Sequence, residues 1–209
     1  MTDEGYEARR KAENQRASGN VDGAVDTLIA YLEDHQEDHR TRLLLANILI
    51  VNKNKKDAGL AHLDAILAMD PDFDDARRAL VTVIRENKKY NDETEGHFEY
   101  LLKKYPDDID LLHIYGVFSR EQMLNFTRAA ECFKRCVEAE PDMERYRLSY
   151  ASLLINDLRY YDSGREQLQA ALRINPSNEK TQAALRRLSK KKYQGNKGPR
   201  RSIINRFTR

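Results

Sequence analysis

Apolar residues recur three and four positions apart through most of the chain, and short polar segments interrupt them. Leu28, Tyr31 and Leu32 show this spacing, as do Leu44 and Ile48. The spacing places apolar side chains on one face of an α-helix. The interrupting segments are rich in polar and turn-forming residues. They are Ser18–Asn20, Asn52–Lys56, Asn87–Lys89, Met123–Asn125 and Asn156–Leu158. The pattern predicts a succession of short amphipathic helices joined by turns.

The pattern repeats every 35 residues. Four of the five prolines mark this period, at Pro71, Pro106, Pro141 and Pro176, and Gln36 stands one period before the first. The residue twelve positions before each mark is small: Ala24, Gly59, Thr94, Ala129 and Gly164. The residue eight positions before each mark is large and apolar: Leu28, Leu63, Phe98, Phe133 and Leu168. A small residue lets two helices approach closely, and the large one fills the space beside it. Each copy is predicted to be a pair of helices that buries its apolar face against the next copy.

Each proline is predicted to end the second helix of its copy, because proline lacks an N–H and restricts the residue before it. The residue after each mark is predicted to N-cap the next helix. These residues are Glu37, Asp72, Asp107, Asp142 and Ser177, four of which are good N-cap residues.

The repeat resembles the tetratricopeptide repeat. The matching residues include Asn20-x-x-x-Ala24-x-x-x-Leu28, and Gly59-x-x-x-Leu63 followed by Met69-Asp70-Pro71. Similar copies run from Ala129 to Glu140-Pro141 and from Gly164 to Asn175-Pro176. The resemblance implies an all-α, right-handed α-solenoid of about five helix pairs. Lys11 stands where the family prefers leucine, which leaves open whether the first copy is frayed or serves as an N-terminal cap.

The predicted organisation has three parts. Residues 1–176 hold the five repeats, at about 5–36, 37–71, 72–106, 107–141 and 142–176; residues 177–193 form a capping helix; residues 194–209 form a basic tail without a fold of its own. A 35-residue period also occurs in RNA-binding pentatricopeptide repeats. The Asp-Pro, Glu-Pro and Asn-Pro endings favour the tetratricopeptide repeat instead.

Composition and charge exclude several classes of protein. The longest nearly apolar run, Leu43–Val51, is too short to cross a bilayer, and the polar N-terminus does not resemble a signal peptide, so a cytoplasmic protein is expected. Eleven of the 36 Lys and Arg residues lie from Lys180 onward, where Asp and Glu are absent. Residues 1–179 therefore hold 25 basic against 34 acidic side chains.

No catalytic motif is recognisable, and the protein is predicted not to be an enzyme and to need no cofactor or metal. Cys132 and Cys136 are interpreted as buried thiols. A metal site at His35 and His39 would need ligands from a second element, so a solvated turn is favoured there.

The resemblance implies that the first helices line a concave groove that binds a peptide or a helix of another protein. The residues predicted to line it are Leu43, Asn47, Ile50, Arg78, Thr82, Arg85, His113, Val117, Arg120, Leu148, Ser152 and Ile155. The leucines equally fit the core between repeats, and the arginines fit ion pairs with Asp74, Asp75, Glu86 or Glu121. Leu43 stands where the family's carboxylate clamp needs a lysine, which argues against that clamp.

The expected function is that of an adaptor, scaffold or assembly factor. The tail supplies a second predicted docking segment, Arg200, Arg201, Ile203, Ile204, Arg206 and Phe207, for an acidic partner or an acidic surface on another copy of this protein; a fold-back onto the repeats is the alternative. The alternative is an RNA-associated repeat protein whose basic tail contacts phosphate.

Overall fold

A computed structural model describes residues 3–51 and 55–190. Eleven α-helices cover most of this part of the chain, and they are numbered in chain order. They are α1 (Glu4–Ala17), α2 (Val21–Asp34), α3 (His39–Val51), α4 (Lys56–Met69), α5 (Asp74–Ile84), α6 (Asn91–Lys104), α7 (Ile109–Glu121), α8 (Phe126–Ala139), α9 (Glu144–Ser152), α10 (Tyr161–Ile174) and α11 (Glu179–Lys190). A 3₁₀-helix spans Lys88–Tyr90 and a π-helix spans Leu153–Leu158. The all-α, helical-repeat fold predicted from the sequence is confirmed.

The 35-residue period is exact in the second helix of each pair. These helices begin at Val21, Lys56, Asn91, Phe126 and Tyr161, and they end at Asp34, Met69, Lys104, Ala139 and Ile174. The small and the large residues of the period are buried in all five copies. In four of the five copies the two helices of the pair pack against each other: α1 with α2, α3 with α4, α7 with α8 and α9 with α10.

The chain divides into two compact units, Met1–Tyr90 and the part from Asn91 onward. In the first unit α1 packs on α2 and α3 although it is polar. Ala12 of α1 is fully buried. Arg9 Nη1 donates to Asp38 Oδ2 at 3.1 Å and to Thr41 Oγ1 at 2.9 Å. The first copy is thus a complete helix pair that is fixed to α3, and Lys11 is exposed to solvent.

The second unit has its own apolar core. Its largest fully buried side chains are Phe98, Leu101, Leu112, Phe133, Tyr146 and Leu153. Cys132 and Cys136 are both buried and free, which confirms the sequence interpretation. Burial raises the pKa of Cys132 to about 11 and that of Cys136 to about 12, so both thiols stay protonated at neutral pH.

The N-caps lie one residue later than the sequence suggested. Asp38, Asp108 and Asn178 accept hydrogen bonds of 2.9–3.0 Å from the backbone N–H groups three residues further on. Phe73 and Met143 stand at equivalent positions and make no side-chain cap. The prediction was wrong because each mark and its next residue form a two-residue turn before the cap.

A side chain six residues after the mark closes most of these turns. Arg77 Nη2 donates to the Pro71 carbonyl at 2.6 Å, and Arg147 Nε donates to the Pro141 carbonyl at 2.7 Å. Arg42 and Gln182 bond the carbonyls of residues 36 and 176 in the same way, each at 2.7 Å. These bonds are called proline latches below. Each of these bonds satisfies the carbonyl of the mark residue, which is a proline in three of the four copies and lies in the turn outside the helices.

The segment Asn156–Leu158, predicted to break the helix, continues it instead. It belongs to the π-helix Leu153–Leu158, which ends at Arg159 in the left-handed conformation, with φ 60°. Leu124, one period earlier, has φ 53°, and Gly19 has φ 85°. In three copies, therefore, the same repeat position after the first helix has the left-handed conformation that glycine adopts most easily.

Candidate functional site

In the first unit, the predicted groove residues divide between core and surface. Leu43 and Ile50 are half-buried and pack against the core formed by α3, α4 and α5. Ile50 of α3 packs closely against Gly59 of α4. A Cβ atom at Gly59 would lie only 2.7 Å from Ile50 Cγ1. Asn47 and Thr82 are exposed on α3 and α5. The two exposed positions are therefore the ones open to a partner.

The arginines of the first unit are partly covered. Arg78 and Arg85 are both half-buried on α5. Thr82 Oγ1, between them, donates to the Arg78 carbonyl at 2.9 Å. Only part of each arginine side chain faces solvent on this face of α5.

In the second unit, two polar contacts connect α7 with the first helix of the next copy, α9, and with the π-helix that continues it. His113 Nε2 lies 2.8 Å from Ser149 Oγ, and Arg120 Nε donates to Asp157 Oδ2 at 2.7 Å. Val117, between them on α7, packs against the core cluster of this unit. Arg120 thus has an acidic partner in the π-helix, and this partner differs from the candidates suggested by the sequence.

His113 is enclosed on α7 by aromatic rings. Its ring lies 5.6 Å from that of Phe133 and 5.0 Å from that of Tyr146, centroid to centroid. Burial lowers the pKa of His113, and the nearby Arg145 guanidinium lowers it further. The neutral imidazole is therefore the favoured form in the fold.

The remaining predicted groove residues of the second unit line a cleft of about 390 Å³ between α9, α10 and α11. Leu148, Ser152 and Ile155 form the side that belongs to α9 and the π-helix, and Asn156 stands beside them. The other walls are apolar except for one arginine, and they consist of Leu168, Ala184, Arg187 and Leu188. This cleft, called the α9–α11 cleft below, can hold an apolar side chain.

Arg187 was missed as a site residue. It stands 35 residues after Ser152, and therefore in the same repeat position as Asn47, Thr82 and Val117. The period extended by one more copy would have predicted it. The sequence interpretation treated α11 only as a cap, although this helix also presents the groove position of a first helix.

The other predicted sites do not converge on the cleft. The His35 ring stacks on Tyr31 with centroids 4.2 Å apart, and the His39 ring packs edge-on against Phe73. Among the residues that the structure describes, no group of three or more His, Cys, Asp or Glu side chains is placed to hold a metal ion. None of the described helices is both long and apolar enough to cross a membrane. The predicted docking segment Arg200–Arg209 lies outside the described residues.

Helix pairs with one small and one large buried residue per copy define a class of all-α repeat proteins. Residues 9–72 match the family model described as tetratricopeptide repeat, and the resemblance seen in the sequence is confirmed. No curated protein sequence matches the chain.

Several solved structures share the fold. MamA (41-end) from Desulfovibrio magneticus RS-1 has a TM-score of 0.70 at 14% identity, covering 86% of this chain and 99% of that one. A tetratricopeptide repeat protein from Parabacteroides merdae ATCC 43184 has a TM-score of 0.72 at 17% identity, covering 88% and 72%. YrrB, described as a tetratricopeptide repeat protein with an unusual peptide-binding site, has a TM-score of 0.61 at 20% identity, covering 77% and 81%.

Proposed function

We propose that the chain is a protein–protein interaction scaffold that binds a peptide or helix of another protein on its first helices. The α9–α11 cleft is the observation that supports this most. It lies between two first helices and is lined by three residues that the repeat register assigns to the binding face, Leu148, Ser152 and Ile155. An apolar cleft with a few polar groups at its edge is the usual form of a binding site.

The same face in the first unit supports the proposal. Asn47 and Thr82 are exposed there, at the repeat position that Ser152 and Arg187 occupy in the second unit. Binding rather than catalysis is the role we assign to this face. The alternative of RNA association rests on the basic segment beyond Lys190, and nothing in the described part of the chain favours it.

Site-specific photo-crosslinking tests the proposal. A photoreactive amino acid replaces Asn47 or Thr82, and the matched controls carry it at Asp26 or Ala61. All four positions are exposed in the first unit, but the controls lie on the second helices. A partner captured by the full chain should crosslink from the first pair. Crosslinks that come only from the control positions, or no partner captured by any variant, would reject the proposal.

A further inference from the structure

Arg187 is the one charged side chain that lines the α9–α11 cleft. It is exposed, and no carboxylate or hydrogen-bond acceptor contacts it among the described residues. Other arginines of this unit are engaged: Arg120 pairs with Asp157, and Arg147 forms a proline latch. The cleft thus combines apolar walls with one available guanidinium at its rim.

Two polar groups on the opposite side of the cleft are only partly used. Asn156 Nδ2 donates to Ser152 Oγ at 3.1 Å. This bond leaves the Asn156 amide oxygen as an acceptor and the Ser152 hydroxyl as a donor. A peptide backbone offers both an N–H donor and a carbonyl acceptor, so an extended segment satisfies both groups at once.

The charge of the neighbouring sequence has the same sign as Arg187. The chain continues from α11 with basic residues and without a single Asp or Glu after Glu179. α11 itself carries Lys180 and Arg186 besides Arg187, so this helix attracts anionic segments and repels basic ones. The charge therefore discriminates among apolar peptides that would otherwise fit the same cleft.

Building on the proposed function, we infer that the α9–α11 cleft recognises a partner segment in which an apolar residue is adjacent to an aspartate or glutamate. The apolar side chain enters between Leu148, Ile155 and Leu188. The neighbouring carboxylate pairs with the guanidinium of Arg187, which suits planar carboxylates by its two parallel N–H donors. The partner is thus an acidic, amphipathic segment of another protein.

A random dodecapeptide library displayed on phage tests the inference, with the full chain immobilised. Sequences selected by the parent should be enriched in Asp or Glu within two positions of an aliphatic or aromatic residue. Arg187→Glu should lose this enrichment, whereas Arg186→Glu, the same change at an exposed neighbour outside the cleft, should retain it.

Titration of the most enriched peptide, made synthetically, gives the size of the effect. Arg187→Glu should weaken binding by about fivefold to tenfold, since one exposed ion pair is lost and a repulsion is introduced. Arg186→Glu should change binding by less than about twofold. Ser152→Phe, which fills the cleft, should abolish binding while the melting temperature shows that the chain remains folded.

The outcomes separate this inference from the proposed function. Selected peptides without acidic residues, or acidic peptides that bind Arg187→Glu and Arg186→Glu equally, would overturn the inference and leave a protein-binding scaffold intact. No enriched peptide at all would also overturn the inference, and the crosslinking experiment at Asn47 and Thr82 would then decide the proposed function separately.

Discussion

Arg120 of α7 and Asp157 of the π-helix form an ion pair in which both side chains are largely covered. Nε lies 2.7 Å from Oδ2, and the two side chains are 20% and 23% exposed. A charge-assisted bond of this length is among the stronger hydrogen bonds in a protein. The pair fixes the π-helix, and with it Ile155 and Asn156, to the preceding first helix.

Loss of this ion pair should destabilise the second unit. Arg120→Ala should lower the free energy of unfolding by about 1–3 kcal/mol, because Asp157 is left without its partner in a partly dry site. Arg120→Glu should cost more, since two carboxylates then face each other. Urea denaturation of the single variants and of Arg120→Ala with Asp157→Ala measures the coupling. Strictly additive effects in the double variant would show that the pair does not stabilise the fold.

Two glycines should differ in their tolerance of a methyl group: Gly59, a small residue of the period, and Gly96, an exposed residue of α6. A Cβ atom at Gly59 would lie 2.8 Å from the Ala46 carbonyl oxygen and 3.0 Å from the Ile50 nitrogen, so the backbone of α3 would have to move. Gly59→Ala should therefore cost about 1–3 kcal/mol of stability. A Cβ atom at Gly96, which is exposed on α6, would have nothing within 4 Å.

Gly96→Ala is the matched control for Gly59→Ala. It should raise the free energy of unfolding by about 0.4–1 kcal/mol, because alanine restricts the unfolded chain and favours the helix. The melting temperature and the free energy of unfolding, measured by thermal and urea denaturation, should therefore fall in Gly59→Ala and rise in Gly96→Ala. A loss of stability in Gly96→Ala would contradict the packing described for α6.

The N-cap positions provide a test of the repeat register. Met143 precedes α9 with an extended backbone and no side-chain cap, and it is 38% exposed. Met143→Asp should stabilise the chain by about 0.5–1 kcal/mol, since an aspartate there can accept from the first turn of α9. Asp108→Ala, which removes an existing cap of α7, should cost about 0.5–2 kcal/mol. Equal melting temperatures of parent and both variants would refute the assignment of the caps.

Two histidines should make stability depend on mildly acidic pH. Burial, followed by Arg145, lowers the pKa of His113 below its ordinary 6.5, and Asp110 raises it in part. Burial, followed by Arg42, lowers the pKa of His62 from the same value. The unfolded chain therefore binds more protons than the fold below about pH 6.5, so stability should fall as the pH drops through that value.

Urea denaturation at pH 7.5 and 5.5 measures this dependence. The variant with His62→Gln and His113→Gln should lose less stability on acidification than the parent. The comparison is made between two pH values for each protein, so any loss of stability from the substitutions themselves cancels. The same fall in the parent and in the variant would exclude the histidines as its cause.

The sequence was sufficient to predict the helices, because the period depends on residues that every copy needs. Gly59 and Phe133, for example, occupy positions where only a small and a large side chain fit, and both are buried. The N-caps were predicted one residue early because Pro71 and Asp72 together form the turn: Asp72 has the side chain of a good cap, but Phe73 is the residue that precedes the helix.

The residues of the candidate site were harder to predict from the sequence than the helices were. Asp157 lies 37 residues from Arg120 and meets it only because the π-helix extends the first helix of its copy. The π-helix has no recognisable signal in the segment around Asn156. Arg187 could have been predicted, since the period places it after Ser152, but its position on the edge of a cleft depends on the packing of α11.

The proline latches have a consequence for how quickly and where the chain folds. Arg77 reaches the Pro71 carbonyl across six residues, and the cap at Asp108 spans three. Loops of this length close at little entropic cost. Most neighbouring helices are also consecutive in the chain, which gives a low contact order and fast folding. Within each unit, folding can therefore begin at whichever turn closes first and spread from there to the adjacent helices.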